Sequence, residues 1–91
     1  MSNYTLISAD GASNSVRCTG TLYAIEGEGT WGSGTLTPQK KSYDGTWIAW
    51  GSETLTADGG IVVQVPAGAE IRANLSGATS PSLKVHIIKI S

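Results

Sequence analysis

The chain has 91 residues, a formal net charge of −1 and a hydrophobic fraction of 40%. Its basic residues are scattered, so the sequence lacks the clustered positive charge with which proteins bind nucleic acids or anionic membranes. No run of about 20 apolar residues occurs, which excludes a predicted transmembrane helix. The first residues have no pattern of a secretion signal, and we expect synthesis in the cytoplasm.

The single cysteine, Cys18, excludes an intramolecular disulfide framework, so packing alone must hold the fold. We expect Cys18 to be a small buried hydrophobe. A chain of this length has room for a single domain, residues 1–91, and would bury roughly 63% of its unfolded surface. A core of that size is marginal and is often supported by self-association, which predicts a homo-oligomer.

Short β-prone segments separated by turn residues predict an all-β fold. The expected architecture is an antiparallel two-sheet β-sandwich or jelly roll of about seven or eight short strands. Residues 4–7 should form a short edge strand. Residues 16–25, interrupted by Gly20, predict either one long strand with a bulge or two short strands. The glycine-rich residues 27–34 predict a loop.

The middle of the chain predicts a hairpin. Residues 33–40 should be a strand at a sheet edge or a bulge, because Pro38 has no N–H to donate. Asp44-Gly45 predicts the hairpin turn, since both residues tolerate positive φ angles, and residues 46–51 predict the returning strand.

The next segments predict two more strands and a second hairpin. Residues 53–57 should be a short strand. Residues 61–65 should present a core face by their period of two. The turn Val65-Pro66-Ala67-Gly68, with proline at its second position and glycine at its fourth, should join this strand to a hairpin partner at 69–76. The predicted core residues of these two strands are Ile61, Val63, Val65, Ala69, Ile71, Ala73 and Leu75.

The final predicted strand, residues 83–90, is apolar on both faces. Leu83, Val85 and Ile87 share one face, whereas Ile88 and Ile90 lie on the other. Either a bulge near Ile87 changes the register, or another subunit covers the second face. We favour the covering subunit.

Residues that could carry chemistry are few. His86 is the one histidine and has no partner visible in the sequence. Glu26 and Glu28 would share a face only if their glycine-rich segment were extended. The aspartates of the predicted turns, Asp10, Asp44 and Asp58, are expected to cap their own backbone. We therefore predict no enzyme activity, no catalytic residue, no bound metal and no cofactor.

The tryptophans offer the clearest candidates for binding. One tryptophan usually fills the core of a sandwich of this size, and we assign Trp47 to that position. Trp31 and Trp50 either pack in the same way or lie on an exposed face. In the exposed case they would form a sugar-stacking platform or the anchor of a protein interface.

Residues 33–85 resemble a group of small virion proteins of tailed bacteriophages. The similarity runs through the Asp44-Gly45 turn, the Thr-Trp strand, the stretch TADGG and the hairpin-like stretch VPAGAEIRANLSGATSPSL. The resemblance implies a β-sandwich or jelly-roll protein of the particle, most often a trimeric head decoration or cement protein. It implies the major capsid protein as partner and the virion as location.

On this reading the protein would stabilise the head by bridging capsid subunits. The expected contact residues are Tyr4, Leu6, Trp31, Trp50, Ile88 and Ile90. The alternative is a carbohydrate- or receptor-binding module of a phage fibre or tail, or a structural component of the neck or tail. A glycan would be a partner in the first of these alternatives, whereas neither reading involves nucleic acid or a membrane.

Overall fold

The protein consists of two antiparallel β-sheets, seen here in a computed structural model that describes residues 2–91 and their side chains from Tyr4 onward. The first sheet, sheet A, has four strands in the order β1-β9-β4-β7. Their bounds are Ser2–Ile7 for β1, Leu22–Thr30 for β4, Gly59–Gln64 for β7 and Ser82–Lys89 for β9.

The second sheet, sheet B, is built mainly on a central pair, β5 and β8. Its strand order is β2-β8-β5-β6, and β3 also pairs with β8. The strand bounds are Gly11–Ala12 for β2, Val16–Arg17 for β3, Thr35–Lys41 for β5, Trp47–Ala49 for β6 and Glu70–Ser76 for β8. The predicted sandwich is therefore confirmed, and residues 2–91 contain no helix long and apolar enough to span a membrane.

The core lies between the two sheets and follows the period-of-two alternation of the strands. The side chains of Ile25, Leu36 and Leu83 are at most 1% exposed. The predicted core residues of β7 and β8 are confirmed, with Ala69 half-buried. They are joined by an inward face of β9 made of Leu83, Val85 and Ile87.

The turn at residues 66–68 does not form the predicted hairpin. The Ala69 N–H donates to the Pro66 carbonyl at 3.1 Å, as expected of a turn. However, β7 pairs with β4 in sheet A, whereas β8 pairs with β5 in sheet B. The turn therefore carries the chain from one sheet to the other, and a local turn signal cannot distinguish these two outcomes.

The glycine-rich segment 27–34 was predicted to be a loop, but β4 continues through it as far as Thr30. Gly27 faces the core, where a Cβ atom would lie 2.9 Å from the Trp31 ring and 3.3 Å from Leu36. The glycine is thus needed to make room for a large side chain rather than to break the strand. Residues 16–25 form two separate strands, β3 and the start of β4, in different sheets.

The prediction that Pro38 marks a sheet edge or a bulge is wrong, because β5 lies between β8 and β6 and its register with β8 runs unbroken through Pro38. The Pro38 carbonyl accepts from the Trp50 N–H at 2.8 Å, so its backbone faces the β6 side. On that side β6 pairs only with Gln39–Lys41, and the missing N–H therefore interrupts no ladder.

Two further strand predictions are settled by the pairing. Residues 53–57 form no strand, and Leu55 makes only an isolated bridge to Leu36. β9 keeps an unbroken register with both β1 and β4, which excludes the bulge near Ile87. The apolar side chains on its second face therefore point out of the sandwich.

Candidate functional site

Trp31 lies in the core rather than at the surface. Its side chain is 9% exposed, and its indole Nε1–H donates to the Asp58 carboxylate at 2.8 Å. The Gly29 N–H donates to the same oxygen at 3.0 Å. Both hydrogen bonds stabilise the charged carboxylate, and the bond from Trp31 has the larger effect. Together they hold the pKa of Asp58 below its ordinary value. The prediction that Trp31 is an exposed contact residue is therefore wrong.

Trp47, which was predicted to fill the core, instead lies half-buried on the outer side of sheet B. Its ring stacks on the Arg72 guanidinium, whose central carbon is 4.3 Å from the ring centroid. Arg72 Nε also donates to Gln39 Oε1 at 2.7 Å. The prediction that Trp47 fills the core is therefore wrong, and Trp31 occupies the core instead, because strand alternation does not say which face of a short edge strand meets the core.

Trp50 lies at the edge of the sandwich, where it connects the two sheets. Its backbone N–H is bonded to Pro38 of β5, and its indole Nε1–H donates to the Gln64 carbonyl of β7 at 2.8 Å. The Lys40 ammonium group lies 5.3 Å from the centroid of its ring. Trp50 is half-buried and packs against the core cluster, so both predicted alternatives hold in part.

The outer face of sheet A collects most of the predicted contact residues. The Tyr4 ring lies 4.8 Å from the His86 ring, its partner across the β1–β9 pair. Leu6 is 57% exposed. Ile88 is half-buried, and the N–H of Ile90 continues the β9 pairing by donating to Leu22 of β4.

Val62 of β7 extends this surface and was not predicted as a contact residue. It lies in the same cross-strand row as Ile88 and is 54% exposed. The signal was present in the sequence, because a period of two that buries both neighbours of Val62 must turn it outward. We call this surface the apolar face, made of Tyr4, Leu6, Val62, Ile88 and Ile90.

Charged side chains share one end of this face with Tyr4 and Leu6, because Lys84 is paired with Leu6 and Glu28, and His86 with Tyr4 and Glu26. Glu26 and Glu28 point outward together, because their segment is a strand and not a loop. With Asp58, Lys84 and His86 they line a groove of about 360 Å³. Among the side chains described, no group of three or more histidine, cysteine, aspartate or glutamate residues is placed so that it could hold a metal ion.

The other singled-out residues have structural partners. Asp44 caps its own turn by accepting from the Ser42 hydroxyl and the Thr46 N–H, and these bonds lower its pKa. Asp10 instead accepts from the N–H groups of a distant turn at residues 77–78. Cys18 is 1% exposed, which confirms the predicted buried position.

Comparison with known proteins finds a similar fold but no matching family. No family model matches the chain, and no curated protein sequence matches it. A solved structure described as "Crystal structure of PirA" superposes with a TM-score of 0.52 and 16% sequence identity. The alignment covers 97% of this chain and 84% of that chain. At this identity the likeness concerns the fold alone.

Proposed function

We propose that this protein is a non-enzymatic structural protein that binds neighbouring proteins through the apolar face of sheet A. The carrying observation is that Leu6, Val62 and Ile90 are each about half exposed on one side of a rigid sheet. Exposed apolar residues gathered on one face are typical of a protein interface. The resemblance of residues 33–85 to tailed-phage virion proteins makes capsid decoration the function we favour, with the major capsid protein as partner and the virion as location.

The strength of such a contact can be judged from the side chains involved. Fully burying an aliphatic side chain contributes about 1.5–3 kcal/mol, so each half-exposed residue would add about 1 kcal/mol. Five such residues would not clearly exceed the 4–15 kcal/mol that association costs. A single contact is therefore weak. Repetition over a symmetric lattice, or assembly into a homotrimer, would make the total binding strong.

Sedimentation equilibrium tests whether the apolar face mediates self-association. We expect the wild-type chain to form an oligomer, most simply a trimer, and Ile90→Lys to shift it towards the monomer. Ile48→Lys is the matched control, because Ile48 of sheet B is 43% exposed and Ile90 is 49% exposed. A strict monomer at about 100 µM, or equal effects of both variants, would contradict the oligomer.

Capsid binding needs a separate experiment. Whole phage particles, with expanded heads that lack their decoration protein, would be mixed with the chain, pelleted and imaged by electron cryomicroscopy. We expect density at the positions where capsid subunits meet, with the apolar face turned towards a neighbouring protein. Density at the neck or tail would replace decoration by another structural function, and absence from the particle would refute the virion assignment.

A glycan-binding function is the second candidate, and one observation favours it. The stacked pair of Trp47 and Arg72 lies beside Gln39 on the outer face of sheet B. An aromatic ring next to planar polar groups is suited to a sugar, whose apolar face stacks while its hydroxyls form hydrogen bonds. A glycan array that gives hits lost in Trp47→Ala but kept in Ile90→Lys would support this function. An array without hits would remove it.

A further inference from the structure

Strand β7 is an edge strand of sheet A, with β4 as its neighbour on one side. On its free side it carries backbone N–H and C=O groups that point away from β4. In an antiparallel pair, alternate residues bond to the partner strand, and those between them point away from it. The Val65 N–H donates to the Thr21 carbonyl at 2.9 Å, which sets this alternation. The residues that point their N–H and C=O groups away from β4 are consequently Gly60, Val62 and Gln64.

A hydrogen bond already made on this side supports the alternation. The Gln64 carbonyl accepts from the Trp50 indole Nε1–H, which approaches from outside the sheet. Within residues 2–91, no turn, loop or side-chain hydrogen bond uses the outward groups of Gly60 or Val62. The edge is thus occupied by a side chain at one end and open for pairing along the rest.

A groove of about 370 Å³ runs beside this open edge. Residues 50–53 form one wall, and residues 62–64 of β7 form the other. The wall made of residues 50–53 is an irregular segment that turns at Gly51, where φ is 82°. The groove has the volume of about a dozen water molecules, which suits a short length of a single chain.

The charges around the groove select among extended chains. Glu53 lines the groove, and no basic side chain does. The neighbouring groove beside Gly59 and Gly60, at the other end of β7, is lined by three carboxylates (Glu26, Glu28 and Asp58) against one lysine (Lys84) and one histidine (His86), so acidic groups are in excess there. Lys40 approaches the Trp50 ring but is not part of the groove lining. A chain that bears lysine or arginine would complement this acidic rim.

We propose that an extended segment of a partner protein, with alternating apolar and basic residues, adds a fifth strand to sheet A beside β7. Its backbone pairs with the N–H and C=O groups of Val62 and Gly60. One of its apolar side chains packs against Trp50, and its basic residues lie near Glu53. This is recognition by strand addition through the backbone of β7, so Val62 contributes its backbone here and its side chain to the apolar face.

A defined peptide tests the proposal in the full-length chain. Acetyl-Lys-Val-Lys-Val-Lys-Val-Lys-amide would be titrated into ¹⁵N-labelled protein and followed by NMR. We expect shifts at the amides of Gly60, Val62 and Gln64 and at the Trp50 indole. In the bound state the Val62 amide should exchange with solvent at least about tenfold more slowly. The control peptide replaces the central valine by proline and should produce none of these changes.

Two variants locate the binding site. Val62→Pro removes the outward N–H without touching a bond to β4, and edge strands tolerate proline. We expect about tenfold weaker binding, whereas Val62→Thr keeps the N–H and should bind like the wild type. Glu53→Lys should weaken binding of the basic peptide several-fold at low salt and strengthen binding of a peptide with glutamate in place of lysine.

Several results would overturn the proposal. They are the absence of shifts at about 1 mM peptide, shifts confined to other surfaces, and equal binding by Val62→Pro and Val62→Thr. Concentration-dependent shifts at the β7 amides without peptide would also overturn it, because they would identify a second copy as the occupant. If Val62→Pro fails to fold, Glu53→Lys and the proline-containing peptide decide the question.

Discussion

Replacement of each tryptophan in turn tests which one supports the core. Trp31 is 9% exposed and packs in the central cluster, so Trp31→Ala should leave a cavity and cost about 3–5 kcal/mol. Trp47 is half-buried and stacked on Arg72, so Trp47→Ala should cost about 1–2 kcal/mol from the lost cation–π contact and partial burial. A domain of this length has about 5–14 kcal/mol of stability in total. The loss of Trp31 should therefore bring the fold close to its limit.

Urea denaturation followed by far-ultraviolet circular dichroism measures both costs without relying on tryptophan fluorescence. Each kcal/mol corresponds to about 4–8 °C in Tm for a domain of this size, so thermal melts give a second measurement. The Trp31→Ala variant should melt at least about 12 °C below the wild type. A larger destabilisation by Trp47→Ala than by Trp31→Ala would refute the assignment of Trp31 to the core.

The remaining predictions concern a carboxylate, a glycine and the thiol. Asp58 has a lowered pKa in the folded state, so its contribution is present above its ordinary pKa of about 3.9 and is lost as pH falls through the lowered value. Trp31→Phe removes the indole donor, so the loss in free energy of unfolding relative to the wild type should be larger at about pH 7 than at about pH 2. Urea titrations at the two pH values measure this loss, and an equal loss at both would contradict the hydrogen bond. Gly29→Ala should lower the free energy of unfolding by about 2–4 kcal/mol in denaturation assays, because φ is 128° and the new Cβ would collide with the Ser82 carbonyl. Gly45→Ala is the control, and it should cost only about 1 kcal/mol because Gly45 has a φ of 93° but open space around it. Burial raises the pKa of the Cys18 thiol, so Ellman's reagent should react about 100-fold more slowly with the native protein than with the denatured chain, and equal rates would contradict a buried thiol.

Local patterns in the sequence predicted the β-class and much of the core. The alternation in β8 and β9 assigned Ile71, Leu75 and Val85 to the inside, and all three are buried. The same rule placed Ile88 and Ile90 outside. These predictions succeeded because side chains alternate across a strand whatever the strand is paired with.

Predictions that depended on which strand or sheet lies beside a segment were wrong in two places. The turn at residues 66–68 was recognised, but it joins two sheets instead of a hairpin. Pro38 was recognised as unable to donate, but β6 is short enough for a central strand to accept it. In both cases the local chemistry was correct, whereas the neighbour on the far side could not be read from adjacent residues.

Residue patterns alone were enough to predict an all-β protein with an alternating apolar core and an outward-facing apolar strip on its last strand. The pairing and stacking of the sheets were needed to place Trp31 inside and Trp47 outside, and to show that β7 is an edge strand beside a groove lined by Trp50. The two kinds of prediction differ in how far apart in the sequence the interacting residues lie. Backbone alternation and turn preferences are set within a few residues, whereas burial and edge position depend on which sheets stack and in what order their strands pair.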